Sequence, residues 1–182
     1  MSSSPQTIIL IGPGGVGKGT LARRLVALSP GLVLSRSWTT RAPRPQETES
    51  DYHFVTRAEF EAAIGEDAFY EWAEFHGQLY GTPRPDPSDT RRLLLEIDVQ
   101  GAEQIRAKDP SALVVLVTAP NEEELEARLR GRGDEEEHVR QRLASAGGEI
   151  ERGRRLCDLE VVNDDLERAT TRILSILEGP RR

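Results

Sequence analysis

Gly12-Pro-Gly-Gly-Val-Gly17-Lys18 sets two glycines with four residues between them and a lysine directly after the second, the spacing G-x-x-x-x-G-K. Glycines let successive backbone N–H groups curl inward around phosphate oxygens. A helix starting at the lysine adds its positive dipole end, and the lysine itself can reach β- and γ-phosphates. The expected chemistry is a nucleoside triphosphate cradle built from Gly12, Pro13, Gly14, Gly15, Val16, Gly17, Lys18, Gly19 and Thr20. The chain has 22 arginines and only two lysines, Lys18 and Lys108, so a cation placed merely for solvation would be arginine and Lys18 stands out. Residue 19 is glycine where a hydroxyl usually follows the lysine, and Thr20 comes one place later. A Mg²⁺ ion accompanying the triphosphate is therefore expected to be held by phosphates and water.

A second cluster of chemistry lies further on. Ser35-Arg-Ser37-Trp-Thr-Thr-Arg41-Ala-Pro-Arg44-Pro, followed by Asp51-Tyr52-His-Phe54, concentrates guanidinium forks and hydroxyls on a segment without periodicity. Such donors suit a doubly charged phosphomonoester. His53, His76 and His138 are dispersed, with no nucleophile–base constellation around them. Cys157 stands alone, so there is no internal disulfide, and its expected place is a small core position.

The elements around these clusters alternate. Thr7-Ile-Ile-Leu-Ile11 is a short apolar run rich in β-branched residues, the signature of a buried parallel strand entering the glycine loop. Apolar positions at helical spacing over residues 18–28 predict a helix ended by Pro30-Gly31, with a strand at 32–35. Residues 36–89 change to Arg, Pro, Asp, Tyr and Trp, with a helix at 57–64, and read as a binding insertion. Strand patterns return at 93–98 and 112–118, with a short helix at 102–108 between them. A helix over 121–130 starts at Asn121, carries glutamates first and arginines last, and precedes Gly131. Residues 131–155 are helical from Glu136, with an interruption expected at Gly147-Gly148; the arginines at 152, 154 and 155, interleaved with Glu149 and Glu151, read as a solvated helix face. A last strand at 160–163 leads to a helix with an apolar stripe at Leu166, Ala169, Ile173 and Leu177, stopping at Gly179-Pro180. The alternation implies an α/β fold with a parallel sheet covered on both faces.

Taken together and in order, these motifs resemble the guanylate kinase family. The resemblance spans residue 8 to about residue 177. It also rests on Glu71-Trp-Ala, Tyr80-Gly-Thr82, Glu96-Ile-Asp98-Val-Gln-Gly101, Gly131-Arg132-Gly133 and Val162-Asn163-Asp-Asp165. It implies a P-loop NTPase-type parallel sheet flanked by helices, with an inserted GMP-binding segment and a short lid. The divisions are core at 1–34, insertion at 35–91, core at 92–130, lid at 131–146 and core at 147–182, in one compact kinase domain. The implied activity is transfer of the γ-phosphoryl group of ATP to GMP, giving ADP and GDP, a step of purine nucleotide metabolism, with Mg²⁺ accompanying ATP. Ser37, Arg41, Arg44, Tyr52 and Tyr80 would hold the GMP phosphate. Glu71, Thr82 and Asp98 would read the base, since guanine presents N1–H and an amine to a carboxylate and O6 to a hydroxyl. Adenine, with an acceptor at N1, would leave Glu71 unpaired. Lys18, Arg41, Arg132 and Arg142 would serve catalysis, with Arg132 and Asn163 also on the ATP side.

The chain departs from the family pattern in places. Gly14 stands where serine is frequent, the stretch before Asp51-Tyr52 is a residue short, prolines at 83, 85 and 87 break a segment that is usually helical, and the spacing from Arg132 to Arg142 is a residue short. Two other readings share the loop: a ribose bisphosphate kinase, which needs no guanine reader, and a non-enzymatic interaction module, which usually lacks Gly17-Lys18.

Composition narrows the rest. With 182 residues, one domain is expected. With 24 basic against 31 acidic residues, the net charge of -7 disfavours nucleic acid and anionic membrane as partners. The N-terminus lacks an export pattern, no run is long enough to span a bilayer, and a single cysteine suits a reducing compartment, so a cytoplasmic monomer or homodimer acting on ATP and GMP is the expectation.

Overall fold

The computed structural model describes residues 6–43, 47–75, 77–133 and 135–178. In chain order the elements are β1 (Thr7–Ile11), α1 (Lys18–Leu28), β2 (Leu32–Leu34), β3 (Trp38–Thr39), β4 (His53–Phe54), α2 (Arg57–Gly65), β5 (Phe69–Phe75) and β6 (Gln78–Pro83). They continue with β7 (Arg92–Glu96), α3 (Val99–Lys108), β8 (Leu113–Thr118), α4 (Glu122–Gly131), α5 (Glu136–Leu156), β9 (Leu159–Val162) and α6 (Leu166–Glu178).

A five-stranded sheet in the order β2-β7-β1-β8-β9 forms the core, and all its pairings are parallel. Every residue of β1 is buried, because alternate side chains enter opposite layers. Ile8 and Leu10 join Leu21, Leu25, Leu129, Val139 and Ile173 on one face. Ile9 and Ile11 join Val99, Ala102 and Ile105 on the other. Helices on both faces are what a continuous apolar strand requires.

The insertion is not the irregular segment its composition suggests. It folds into a second, four-stranded sheet in the order β4-β3-β6-β5, over which α2 packs Phe60 against Phe69 and Leu79. Two of these strands, β3 and β4, are two residues long, too short to impose a periodicity, and they are held by pairing, β3 to β6 and β4 to β3, rather than by their own pattern. The capping box of Thr56 and Glu59 starts α2.

Three other expectations are corrected. The strand expected at 93–98 ends at Glu96, and Asp98 instead caps α3, accepting from Gly101 N–H at 2.8 Å. Helix α5 runs unbroken through Gly147 and Gly148, because Val139, Ala146 and Gly153 keep one buried seam at seven-residue spacing on either side of the pair. Cys157 is the C-cap of α5 and only half-buried. The expected helix stop at Gly179-Pro180 and the position of His76 lie outside the described residues. Among the described residues no helix is long and apolar enough to cross a membrane.

Candidate active site

The glycine loop leaves the C-terminal end of β1 and feeds α1, as the spacing predicts. Gly12 takes φ 138 and lies against the Val117 carbonyl, where any side chain would collide with it. Gly17 takes φ 92 at the N-cap of α1, and a Cβ there would stand 2.6 Å from Asn163 Nδ2. Both positions demand glycine. Val16 anchors the loop in the core, and its carbonyl accepts from Asn163 Nδ2 at 2.8 Å. Asn163, expected on the ATP side, thus spends a buried amide donor on holding the loop.

Lys18 donates to the carbonyls of Gly12 at 2.7 Å and Pro13 at 3.2 Å. Burial lowers the pKa of its ammonium from the ordinary lysine value, and the carboxylates of Glu96 and Glu149 work in the opposite direction. Arg132, at the C-cap of α4, and Arg142, on α5, are both close enough for their fields to act on Lys18. The Arg142 guanidinium lies directly over Gly14, in the space a serine side chain would fill. Gly19 likewise faces Glu96: a Cβ there would be 3.0 Å from Glu96 Oε2. Thr20 is exposed.

The phosphomonoester cluster comes together in the insertion. Ser37 is buried immediately before β3. Arg41 pairs with Glu47 at 2.8 Å, with its guanidinium carbon 5.6 Å from the centre of the Tyr52 ring. Tyr52 and Tyr80 meet edge to face at 6.4 Å. Burial pushes the Tyr52 phenol well above its usual pKa, so it is a protonated donor at neutral pH. Arg44 lies outside the described residues. Asp51, next to Tyr52, bridges to Arg23 of α1 at 3.0 Å and ties the insertion to the core.

The three residues expected to read a base, Glu71, Thr82 and Asp98, also converge. Glu71 is 4% exposed and Thr82 fully buried. Glu71 Oε1 accepts the Thr82 hydroxyl at 2.5 Å and the Thr82 N–H at 3.1 Å. The hydroxyl expected to reach a purine O6 is therefore given to the carboxylate beside it. Burial raises the Glu71 pKa to about 7; the Thr82 donors oppose the rise and the nearby Asp98 carboxylate adds to it. Burial also raises the Asp98 pKa.

Glu96 was passed over in the sequence, although it lies in a quoted motif. The last residue of β7, it stands against the loop at Gly19 and acts electrostatically on both Lys18 and Tyr52. The signal was there: an acid closing an otherwise apolar strand at the end of a parallel sheet where ligands bind.

Comparison with known proteins points to one family. The family model described as guanylate kinase matches residues 4–179. A guanylate kinase of Anaeromyxobacter dehalogenans (strain 2CP-C) is 48% identical over 181 residues, covering 96% of this chain and 80% of that protein. One from Synechocystis sp. (strain ATCC 27184 / PCC 6803 / Kazusa) is 44% identical, covering 94% of this chain and 93% of that protein. The crystal structure of guanylate kinase from Anaplasma phagocytophilum superposes with a TM-score of 0.77 at 32% identity, covering 94% of this chain and 84% of that one. With the family model matched over residues 4–179 and a relative 48% identical across 96% of this chain's length, the chain belongs to the guanylate kinase family.

Proposed function

We propose that the chain transfers the γ-phosphoryl group of ATP to the phosphate of GMP, giving ADP and GDP. The observation that carries this reading is one carboxylate common to two anion sites: Glu96 lies against Gly19 and acts electrostatically on Lys18 of the loop and on Tyr52 of the insertion. A donor in the loop and a monophosphate on Arg41, Tyr52 and Tyr80 would meet across that single carboxylate. No side-chain nucleophile is needed, because an oxygen of the acceptor phosphate attacks the γ-phosphorus directly.

The residues then divide the work. Lys18 and the loop N–H groups hold the β- and γ-phosphates, while Arg132 and Arg142 carry positive charge to the phosphoryl group in flight. Arg41, Ser37, Tyr52 and Tyr80 fix the acceptor phosphate in line, and Arg44 is assigned to the same phosphate from its sequence position. Glu71 accepts from guanine N1–H and the exocyclic amine, with Asp98 beside it and Thr82 holding its orientation. Residues 131–146 serve as the lid, which on this fold runs from the final residue of α4 through the first half of α5.

Mg²⁺ fits this site. Gly19 offers no hydroxyl, but the hard carboxylate oxygens of Glu96 stand at the same place. Glu96 would hold the ion's water shell. When bound, the ion neutralises charge on the β- and γ-phosphate oxygens.

The test is an ADP-release assay with ATP and Mg²⁺ against GMP, AMP, UMP, CMP and ribose 1,5-bisphosphate. A response selective for GMP is expected; equal use of AMP, or turnover of the ribose bisphosphate alone, would overturn the reading.

A further inference from the structure

The second lysine of the chain has so far no task. In a sequence that uses arginine 22 times, Lys108 is as conspicuous as Lys18. Lys108 is exposed, yet its ammonium has a fixed partner. It donates to the Tyr70 carbonyl at 2.5 Å, 5.8 Å from the centre of the Tyr70 ring. One turn earlier on the same helix, Gln104 donates Nε2–H to the Trp72 carbonyl at 2.7 Å. These two carbonyls flank Glu71.

Their strand needs such partners. β5 is the edge of the four-stranded sheet, and its register against β6 slips between Phe69 and Glu71: Phe69 pairs Pro83 while Glu71 pairs Thr82. Tyr70 is thus the extra residue of a β-bulge, which re-aims the neighbouring side chain and leaves the bulged residue outside the ladder. The re-aimed side chain is Glu71, whose carboxylate takes the Thr82 N–H. Helix α3 supplies the rest of the fit. Gly101 gives room for the carboxylate, since a Cβ there would be 2.5 Å from Glu71 Oε2, and Asp98 caps the start of the helix. Residues 101, 104 and 108 follow one another along one face of α3.

We propose that Gln104 and Lys108 are positioning residues for the guanine-reading carboxylate: from the core helix they cap the bulged edge of β5 and set Glu71 in register with Asp98. The proposal rests on the assignment of Glu71 to the base. A compact ammonium suits the place, because it meets a single carbonyl end-on where a planar fork would seek two acceptors. The groups facing Glu71 are the Thr82 hydroxyl and N–H from β6, the Asp98 carboxylate from the start of α3 and the Lys108 ammonium from its end. Lys108 is the cation among them and favours the ionised carboxylate that guanine requires.

The test compares wild type with Lys108→Met, Gln104→Met, the double variant, Lys108→Arg and Glu71→Gln, in steady-state kinetics over pH 5.5–9 with melting curves alongside. For the double variant, KM for GMP should rise about five- to tenfold, kcat should fall less than twofold and KM for ATP should not move. In Lys108→Met the acid limb of kcat/KM for GMP should shift to higher pH, and Lys108→Arg should restore that limb. If Glu71→Gln raises KM for GMP while the Lys108 and Gln104 variants leave both KM and pH limb in place, the positioning role is wrong and the base assignment stands. A parallel loss of ATP and GMP use with lowered melting temperature would also overturn the role, reducing it to general stability. If Glu71→Gln itself leaves GMP kinetics unchanged, the base assignment fails first.

Discussion

Burial lifts the Glu71 carboxyl to about 7, whereas in an unfolded chain it would titrate near its ordinary value of 4.5. A raised folded-state value means a contribution to stability that is fully present below about pH 4.5 and lost as pH rises through 7. Glu71→Gln, which keeps an oxygen for the Thr82 donors, should therefore stabilise the ligand-free protein by on the order of 2 kcal/mol at pH 8 and leave it nearly unchanged at pH 4, read from denaturant melts. Guanine binding reverses the sense, because its donors pair the ionised form; kcat/KM for GMP should fall about tenfold per pH unit below roughly pH 6.5. At the donor site, Lys18→Met should lower turnover about a hundred- to a thousandfold while the melting curve is preserved, and near-normal activity would refute the role given to Lys18. Gly17→Ala forces a Cβ at φ 92 to within 2.6 Å of the Asn163 amide, so it should break the Asn163–Val16 bond and raise KM for ATP.

Elements differ in how openly the sequence declares them. β1, β7 and β8 are buried on both faces, so each reads as a continuous apolar run, and α4 carries its cap residue and charge gradient on its surface. β3 and β4 are pairs of residues stabilised by a neighbouring strand, and no local pattern encodes a two-residue strand. The bulge at Tyr70 shifts β5 by a residue against its partner, a property of the pair rather than of either strand. Helix α5 deceives in the other direction. Gly147 and Gly148 suggest a break, yet both face open space and the buried seam holds the helix together across them. Replacing both with alanine should add about 1–2 kcal/mol in thermal or denaturant unfolding. Gly153→Ala in the same helix should do the opposite, because its Cβ would meet Leu116 Cδ1 at 2.8 Å; if all three glycines respond alike, the packing of α5 on the sheet is misassigned.

Across the whole molecule, the residues of the site come from distant stretches: the loop after β1, the segment before β3, β5 and β6 of the insertion, the ends of β7 and α4, and α5. Motifs pointed to most of them, because phosphate and purine chemistry restrict residue type. Glu96, Gln104 and Lys108 escaped because their roles arise from what they face: a missing side chain at residue 19, and two carbonyls of the edge strand β5 that lie 32 and 38 positions away in the chain. Two anion sites that share the Glu96 carboxylate should open toward each other. Calorimetric titration with a single molecule joining adenosine to guanosine through five phosphates tests it directly, because a ligand that fills both sites at once binds the second without a further association cost. One molecule per chain is predicted, at least a hundredfold tighter than ATP or GMP alone. Affinity no better than that of the stronger single nucleotide, or two such molecules bound per chain, would contradict the account.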